Sequence, residues 1–262
     1  MLKILYDRLN IQGYRTMAYP AASPPSPPDR FRGLPVIDAS RCPDDCRKCV
    51  EACPTDAITH NGQKLSIDLG RCLFCTDCTE ACPQDAIRYT QDYRLATRRR
   101  EDLVYDGRAL QLARSLDEKS RRVFGRSLKL RQVSASGCNG CEADVNVLST
   151  VVFDLGRFGI QFVASPRHAD GLLITGPVSQ NMKFALENAW ECTPAPKFVI
   201  AVGACAISGG PFLDHPEQCN GAPGIVPVDL FIPGCPPHPL TILDGLLRLI
   251  GRLEQEYPPA KT

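Results

Sequence analysis

Twelve of the fourteen cysteines fall into three sets of four. Two sets are local runs: Cys42, Cys46, Cys49 and Cys53, followed by Pro54, and Cys72, Cys75, Cys78 and Cys82, followed by Pro83. The third is scattered, with Cys138 and Cys141 in Ser-Gly-Cys-Asn-Gly-Cys-Glu, Cys205 in Gly-Ala-Cys and Cys235 in Pro-Gly-Cys-Pro-Pro. Thiols at this density are either disulfide partners or metal ligands, and the redox compartment decides between them. The opening residues, Met1-Leu-Lys-Ile-Leu-Tyr-Asp-Arg, lack the apolar core and small-residue cleavage site of a signal peptide, and no twin-arginine signal precedes them. The longest apolar run, Phe198 to Ile207, is far short of the roughly 20 residues a spanning helix needs. A soluble cytoplasmic chain is expected, and there the cysteines read as metal ligands.

The second run has the spacing Cys-x2-Cys-x2-Cys-x3-Cys-Pro, which is the bacterial ferredoxin pattern for 4Fe-4S clusters. Three cysteines in one tight loop grip three corners of a cubane, and the fourth is aimed at a different cluster. Two such runs therefore exchange their last cysteines: one cluster takes Cys42, Cys46, Cys49 and Cys82, and the other takes Cys72, Cys75, Cys78 and Cys53. Zinc is the alternative, but its structural sites favour two separated pairs over four closely packed thiolates followed by proline. The first run departs from the pattern, because Pro43-Asp44-Asp45 makes the Cys42–Cys46 gap one residue longer. A bulged loop absorbs that residue, or the cluster is loosened or shifted in potential.

The scattered set follows from strand ends. Cys138/Cys141, Cys205 and Cys235 each come after an apolar, strand-like segment, with Gly137, Gly203 and Gly234 before them. In an open parallel sheet the carboxyl ends of the strands converge on one crevice, where ligands bind. Glycine lets the backbone turn sharply and approach an inorganic core. Four thiolates meeting there make a third 4Fe-4S site; the alternative is that some are buried core cysteines. Cys192 and Cys219 have neither the spacing nor the glycine context, and they read as ordinary cysteines.

The elements that must position these groups are spread over 262 residues with 44% hydrophobic and 23% charged content, enough for one large domain or two smaller ones. Residues 1–35 form a Pro-rich arm, with helical spacing at Leu2, Leu5 and Leu9 before Pro20, Pro24, Pro25, Pro27, Pro28 and Pro35 force an extended path. Such an arm is a flexible tail or is laid on this chain or a partner, and docking on a partner is the reading adopted. Residues 36–93 hold an internal repeat, Cys53-Pro-Thr-Asp-Ala-Ile58 echoed by Cys82-Pro-Gln-Asp-Ala-Ile87, the mark of a small two-cluster ferredoxin-like unit. Residues 94–127 are a basic connector with a helical stripe at Leu110, Ala113 and Leu116. It reads equally as a contact surface for an acidic partner or as a solvated helix. Its basic residues include Lys119 and Arg121. No aromatic residues interleave with the charges, and the formal net charge is only +1, so nucleic acid is not expected as a partner.

Residues 128–262 alternate strand and helix. Strands are expected at Leu128–Val133, Gly171–Thr175, Phe198–Val202 and Val226–Ile232. Helices are expected from Asp144, over Met182–Glu191, and as an amphipathic final helix from Leu240 to Glu254. Short apolar strands between helices imply a parallel sheet covered on both faces, an α/β domain preceded by a small α+β one.

The phrases Ser136-Gly-Cys-Asn-Gly-Cys-Glu142, Arg157-Phe-Gly-Ile, Ser165-Pro-Arg-His-Ala-Asp170, Thr175-Gly-Pro-Val178, Gly203-Ala-Cys205 and Ile232-Pro-Gly-Cys-Pro-Pro237 resemble a known pair of related subunits. These are the small subunit of group 4, energy-converting NiFe hydrogenases and the complex I subunit that carries its terminal cluster. Phe31-Arg-Gly-Leu-Pro, Cys72-Leu-Phe-Cys and the exit after Tyr89 resemble the two-cluster ferredoxin-type subunit of formate hydrogenlyase and complex I. The chain thus resembles a fusion of two subunits that are separate elsewhere.

The resemblance implies a flavodoxin-like fold whose 4Fe-4S cluster on Cys138, Cys141, Cys205 and Cys235 lies next to a NiFe site in a separate large subunit. Every closely spaced cysteine pair here already has a cluster, so the NiFe site is not expected in this chain. It also implies membrane-arm partner subunits, peripheral placement on the inner face of the cell membrane, and an external donor or acceptor such as a ferredoxin or formate dehydrogenase. The complex I counterpart opens its motif with adjacent cysteines, whereas Cys138-Asn-Gly-Cys141 is the hydrogenase arrangement. Two other readings stay open: a complex I-like oxidoreductase without NiFe that uses quinone or another acceptor, and a stand-alone ferredoxin-like carrier.

Four more side chains stand near these motifs. Glu142 and Asp144 read as first-turn helix acids, with proton traffic at the large-subunit interface as the alternative. Arg167 and His168 read either as electrostatic tuners of the third cluster or as loop anchors. Pro236-Pro237 shapes the loop holding Cys235, a cis bond being one way to do so.

Overall fold

The apolar runs Gly171–Thr175 and Phe198–Val202 are buried at every residue, as strands covered on both faces must be. The computed structural model describes residues 2–13, 15–43, 45–61 and 64–253. Asp44, inside the long first gap, and Glu254 lie outside the described residues, as do the side chains of Lys119 and Arg121. In chain order the strands are β1 (Pro35–Ile37), β2 (Ile58–His60), β3 (Leu65–Asp68), β4 (Ile87–Tyr89), β5 (Val104–Tyr105), β6 (Leu128–Ser134), β7 (Ile160–Phe162), β8 (Gly171–Thr175), β9 (Phe198–Val202) and β10 (Leu230–Ile232). The helices are α1 (Leu2–Tyr6), α2 (Lys48–Glu51), α3 (Asp77–Glu80), α4 (Glu118–Phe124), α5 (Gly140–Val147), α6 (Gln180–Cys192), α7 (Ala204–Ser208) and α8 (Pro239–Leu249).

The main sheet has the order β10-β9-β8-β6-β7, parallel throughout. Counted within the sheet this is 2-1-3-4-5, the flavodoxin-like order, so the expected α/β class is the one observed. The cysteine-rich unit has two small antiparallel sheets, β1-β4 and β2-β3-β5. Strand β5 comes from the basic connector, which therefore builds part of the unit ahead of it.

Alternate residues of the main strands face two apolar layers. Phe198, Ile200 and Val202 pack with α5 and α8, while Val199 and Ala201 pack with Leu186 of α6 and with Leu65, Ile67, Phe74 and Leu103 of the cysteine-rich unit. The second layer is thus partly supplied by the cluster-type unit itself. The connector closes the seam. Thr97 and Phe231 exchange backbone hydrogen bonds (3.0 and 2.9 Å), and Arg98 Nε donates to the Asp229 carbonyl (2.6 Å). The Arg100 guanidinium grips Asp68 at both oxygens (2.8 and 2.6 Å).

Three expectations are corrected. The final helix keeps its apolar stripe but presents no face to solvent: every residue of α8 from Pro239 to Leu249 is buried. Its outer face is covered by the arm and the connector, with Met17, Tyr19, Ala113 and Leu116 in the same apolar layer. The arm accordingly docks on its own chain around Thr16–Tyr19. Met17 N–H donates to the Val152 carbonyl (2.9 Å), and Arg157 donates to the carbonyls of Met17 and Tyr19 (2.7 Å each). The stripe Leu110–Leu116 is not helical, because its backbone is used across the fold: Ala113 N–H donates to Ala96 O (2.7 Å) and Leu116 N–H to Leu249 O (2.9 Å).

Tyr19 also reaches into α8, donating its hydroxyl to Asp244 Oδ1 (2.9 Å), while Arg248 Nε donates to Oδ2 (2.8 Å). Asp244 and Arg248 are both buried, so each neutralises a charge that water cannot solvate. Removing one partner of such a pair costs about 3–5 kcal/mol, whereas replacing both with apolar side chains of similar volume is close to neutral. Asp244→Ala is therefore expected to lower the thermal midpoint sharply, and Asp244→Leu/Arg248→Met to recover most of that loss in the same calorimetric scan.

Candidate metal centres

Each local cysteine run sits on a loop that ends in a one-turn helix. Cys49 lies in α2 and Cys78 in α3, both buried, and the chain then leaves through Cys53 or Cys82 into β2 or β4. Asp56 and Asp85, three residues beyond the last cysteine of each run, take matching left-handed backbone angles (φ 49° and 51°). The turn points an amide back at the sulfur in both halves: Ala57 N–H donates to Cys53 Sγ (3.2 Å) and Ala86 N–H to Cys82 Sγ (3.3 Å). In the second run Phe74 N–H also donates to Cys72 Sγ (3.3 Å), and the Tyr89 hydroxyl lies 3.4 Å from Cys72 Sγ and 3.7 Å from Cys78 Sγ. In the first run, Cys46 N–H closes a turn on Pro43 O (3.0 Å).

The electrostatic neighbours of these thiols come from both runs. Burial pushes the Cys49 thiol up to about 11, with Cys42, Cys82, Cys78 and Cys46 adding to it. Burial pushes Cys72 up to about 12; Tyr89 and the Phe74 amide pull it down, and Cys78 and Cys53 push it up again. Cys49 thus neighbours the last cysteine of the second run, and Cys72 and Cys78 neighbour the last cysteine of the first.

The scattered cysteines meet at the carboxyl edge of the main sheet, after β6, β9 and β10. Burial raises the Cys141 thiol, and Cys205, Glu142, Cys235 and Cys138 raise it further; burial pushes Cys205 up to about 12, with Cys235 and Cys138 adding. Glycine is required at Gly203 (φ 89°), where a Cβ would stand 2.5 Å from Cys141 Sγ. Gly203 N–H donates to Ile232 O (2.8 Å) and Ala204 N–H to Gly234 O (2.9 Å), tying the Cys205 loop to the Cys235 loop. The Cys235–Pro236 peptide is cis.

Four thiols per group, amides aimed at sulfur and a glycine cradle without a Cβ are a donor set that fits a cubane. Buried thiols with raised pKa values must lose their protons to hold it, so metal loading releases protons. Among the described residues no three His, Cys, Asp or Glu side chains are placed to hold a single metal ion.

Glu142, in the first turn of α5, is buried and does not cap that helix. Its Oε1 accepts from Ser134 Oγ and Thr175 Oγ1 (2.7 Å each), a pair of strand hydroxyls that carry no motif signature. Burial alone would raise its carboxyl; the Thr175 and Ser134 hydroxyls outweigh that and hold it below the usual range. Burial raises Asp144, which lines a cavity of about 210 Å³ beside Cys235, His238 and Arg32. Arg167 and His168 are exposed on the turn Pro166–His168, anchored by Arg167 N–H to Ser165 Oγ (3.3 Å). Cys192 is exposed, and Cys219 packs in the second apolar layer; neither joins a group.

The family described as NADH ubiquinone oxidoreductase, 20 Kd subunit, matches residues 138–249, and a 4Fe-4S dicluster domain matches residues 41–86. The chain is 41% identical over 142 residues to the probable membrane-bound hydrogenase subunit mbhJ of Pyrococcus furiosus, covering 53% of this chain and 85% of that one. It belongs to the NADH ubiquinone oxidoreductase 20 Kd subunit family. It is also 47% identical over 131 residues to formate hydrogenlyase subunit 7 of Escherichia coli, covering 50% of this chain and about half (51%) of that relative. With an NADH-quinone oxidoreductase subunit of Heliobacterium modesticaldum it shares 39% identity over 129 residues, covering 49% of this chain and 72% of that one.

Gly203→Ala is expected to displace Cys141 and cost the protein about four iron atoms per chain, one cubane's worth. Gly224→Ala, where nothing lies within 4 Å of the new methyl, is expected to leave the iron content unchanged. Iron and sulfide assays on anaerobically purified protein read both.

Proposed function

We propose that the chain is the iron-sulfur electron-transfer subunit of a membrane-associated group 4 NiFe hydrogenase complex of the formate hydrogenlyase kind. In this reading it holds three 4Fe-4S clusters in series: Cys42, Cys46, Cys49 and Cys82; then Cys72, Cys75, Cys78 and Cys53; then Cys138, Cys141, Cys205 and Cys235. When bound, each cluster supplies one-electron transfer. The observation that carries the proposal is the serial order of the thiols. Cys49, Cys72 and Cys78 pack in one buried layer, and Ser208 Oγ, three residues after Cys205, donates to the carbonyl of Gly70 (2.9 Å), two residues before Cys72, so the middle group neighbours both others.

The ends of the series differ. In the third group Cys138 and Cys235 are exposed, as are Asn139 and Pro236 beside them, so this group opens at the surface. A cluster edge open to water is suited to being covered, and the partner proposed there is the NiFe large subunit. The chain keeps no further closely spaced cysteine pair for a NiFe site of its own. The Cys138-Asn-Gly-Cys141 spacing and the likeness to formate hydrogenlyase subunit 7 favour this partner over a quinone-reducing one. Among the described residues no helix is long and apolar enough to cross a membrane, so attachment to the inner face of the membrane is assigned to partner subunits. An external carrier such as a ferredoxin or a formate dehydrogenase would exchange electrons at the first group.

Two measurements test this. Anaerobically purified protein is expected to carry about twelve irons per chain; about eight would remove the third cluster, and zinc in place of iron would remove all three. The co-purifying large subunit is expected to carry two paired-cysteine motifs, and a large subunit without them would move the chain to the complex I-like reading.

A further inference from the structure

The internal repeat supplies its own control. Cys46 matches Cys75, Cys49 matches Cys78, Cys53 matches Cys82, and by the same spacing His60 at the end of β2 matches Tyr89 at the end of β4. Both halves keep the backbone amide that donates to the last cysteine, Ala57 to Cys53 Sγ and Ala86 to Cys82 Sγ. They differ in what the strand-end side chain touches. The His60 ring turns its Nδ1 to the Cys46 carbonyl oxygen (3.0 Å). The Tyr89 hydroxyl stands between two sulfurs, 3.4 Å from Cys72 and 3.7 Å from Cys78.

Tyr89 is held there from both sides. Its backbone is in register with Pro35 in the β1–β4 pair, and its ring leans on Phe74 with centroids 5.8 Å apart. A cysteine that ligates iron has lost its proton, so in the loaded protein only the phenol can donate.

We propose that Tyr89 sets the reduction potential of the middle cluster, its hydroxyl donating to the Cys72 and Cys78 sulfurs, and that the first cluster lacks this donor because His60 stands in the matching place. The inference rests on the ligand sets proposed above. Reduction adds negative charge to the cluster and its sulfurs, and a hydrogen bond to sulfur stabilises that added charge more than the oxidised state. The middle potential is therefore raised.

The test is a redox titration followed by electron paramagnetic resonance. The middle cluster's signal is identified as the one perturbed by Cys75→Ser. Tyr89→Phe removes only the hydroxyl, and it is expected to move that midpoint to more negative potential with the other two midpoints and the iron content unchanged. An unmoved midpoint at full iron content, or a positive shift, overturns the proposal. If Tyr89→Phe loses iron, uniform 3-fluorotyrosine labelling of the unsubstituted chain decides instead. Its more acidic hydroxyl donates more strongly, so the same midpoint moves positive, and no movement overturns the proposal. Failure of the ligand reading is seen separately, as an iron count below about twelve in the unsubstituted protein.

Discussion

A relay of electron carriers works only while neighbouring carriers stay close, so the structure depends above all on how the cysteine-rich unit is fixed to the main sheet. That fixing is a shared apolar layer, not a hinge. Leu65, Ile67 and Phe74 pack in one layer with Leu172, Val199 and Ala201 of the parallel strands. Polar contacts lock the register of the seam: the Thr97–Phe231 backbone pair extends the β10 edge, and Ser208 Oγ donates to Gly70 O (2.9 Å). Gly70 is a glycine for a local reason, since a Cβ there would stand 2.8 Å from Ile207 Cγ2. Gly70 lies two residues before Cys72, and Ile207 lies two residues after Cys205. A close approach of the two units is thus made beside the cysteines of the second and third groups.

The thiols themselves oppose this closeness until metal arrives. Cys49, Cys72 and Cys78 are buried among one another, and burial keeps them protonated at neutral pH. The fold supplies some compensation in advance, through amides already aimed at sulfur from Ala57, Phe74 and Ala86. The third group has fewer such donors and more solvent, with Cys138 and Cys235 exposed. Its precision comes from loop geometry instead, from Gly203 and from the backbone bonds joining the Cys205 and Cys235 loops.

What the sequence revealed and what it hid divide along the range of the interactions involved. The 4Fe-4S character of the two cysteine runs was legible because its information is local, a spacing and a following proline. The scattered set was legible because each cysteine trails an apolar strand by a few residues, and parallel strands end on the same side. The last strand was read too long: Asp229, inside the expected Val226–Ile232, accepts from Val199 N–H with Oδ2 (2.9 Å), and the regular strand spans only Leu230–Ile232. The burial of α8 was hidden because its cover arrives from Met17 and Tyr19 at the other end of the chain. The role of Glu142 was hidden because its partners, Ser134 and Thr175, lie on two different strands.

Duplication accounts for the likeness of the two local runs, and their surroundings differ in detail. The second run faces the main sheet: Phe74 and Cys72 lie in the layer shared with β8 and β9, and Cys75 is within electrostatic reach of Cys235. The first run carries the longer Cys42–Cys46 gap, and its Cys42 is only partly buried where Cys72, the first cysteine of the second run, is buried. At matching strand ends the second half turns a phenol to two sulfurs, and the first turns an imidazole to a backbone carbonyl, so the repeat keeps its loop frame and differs in what reaches the thiols.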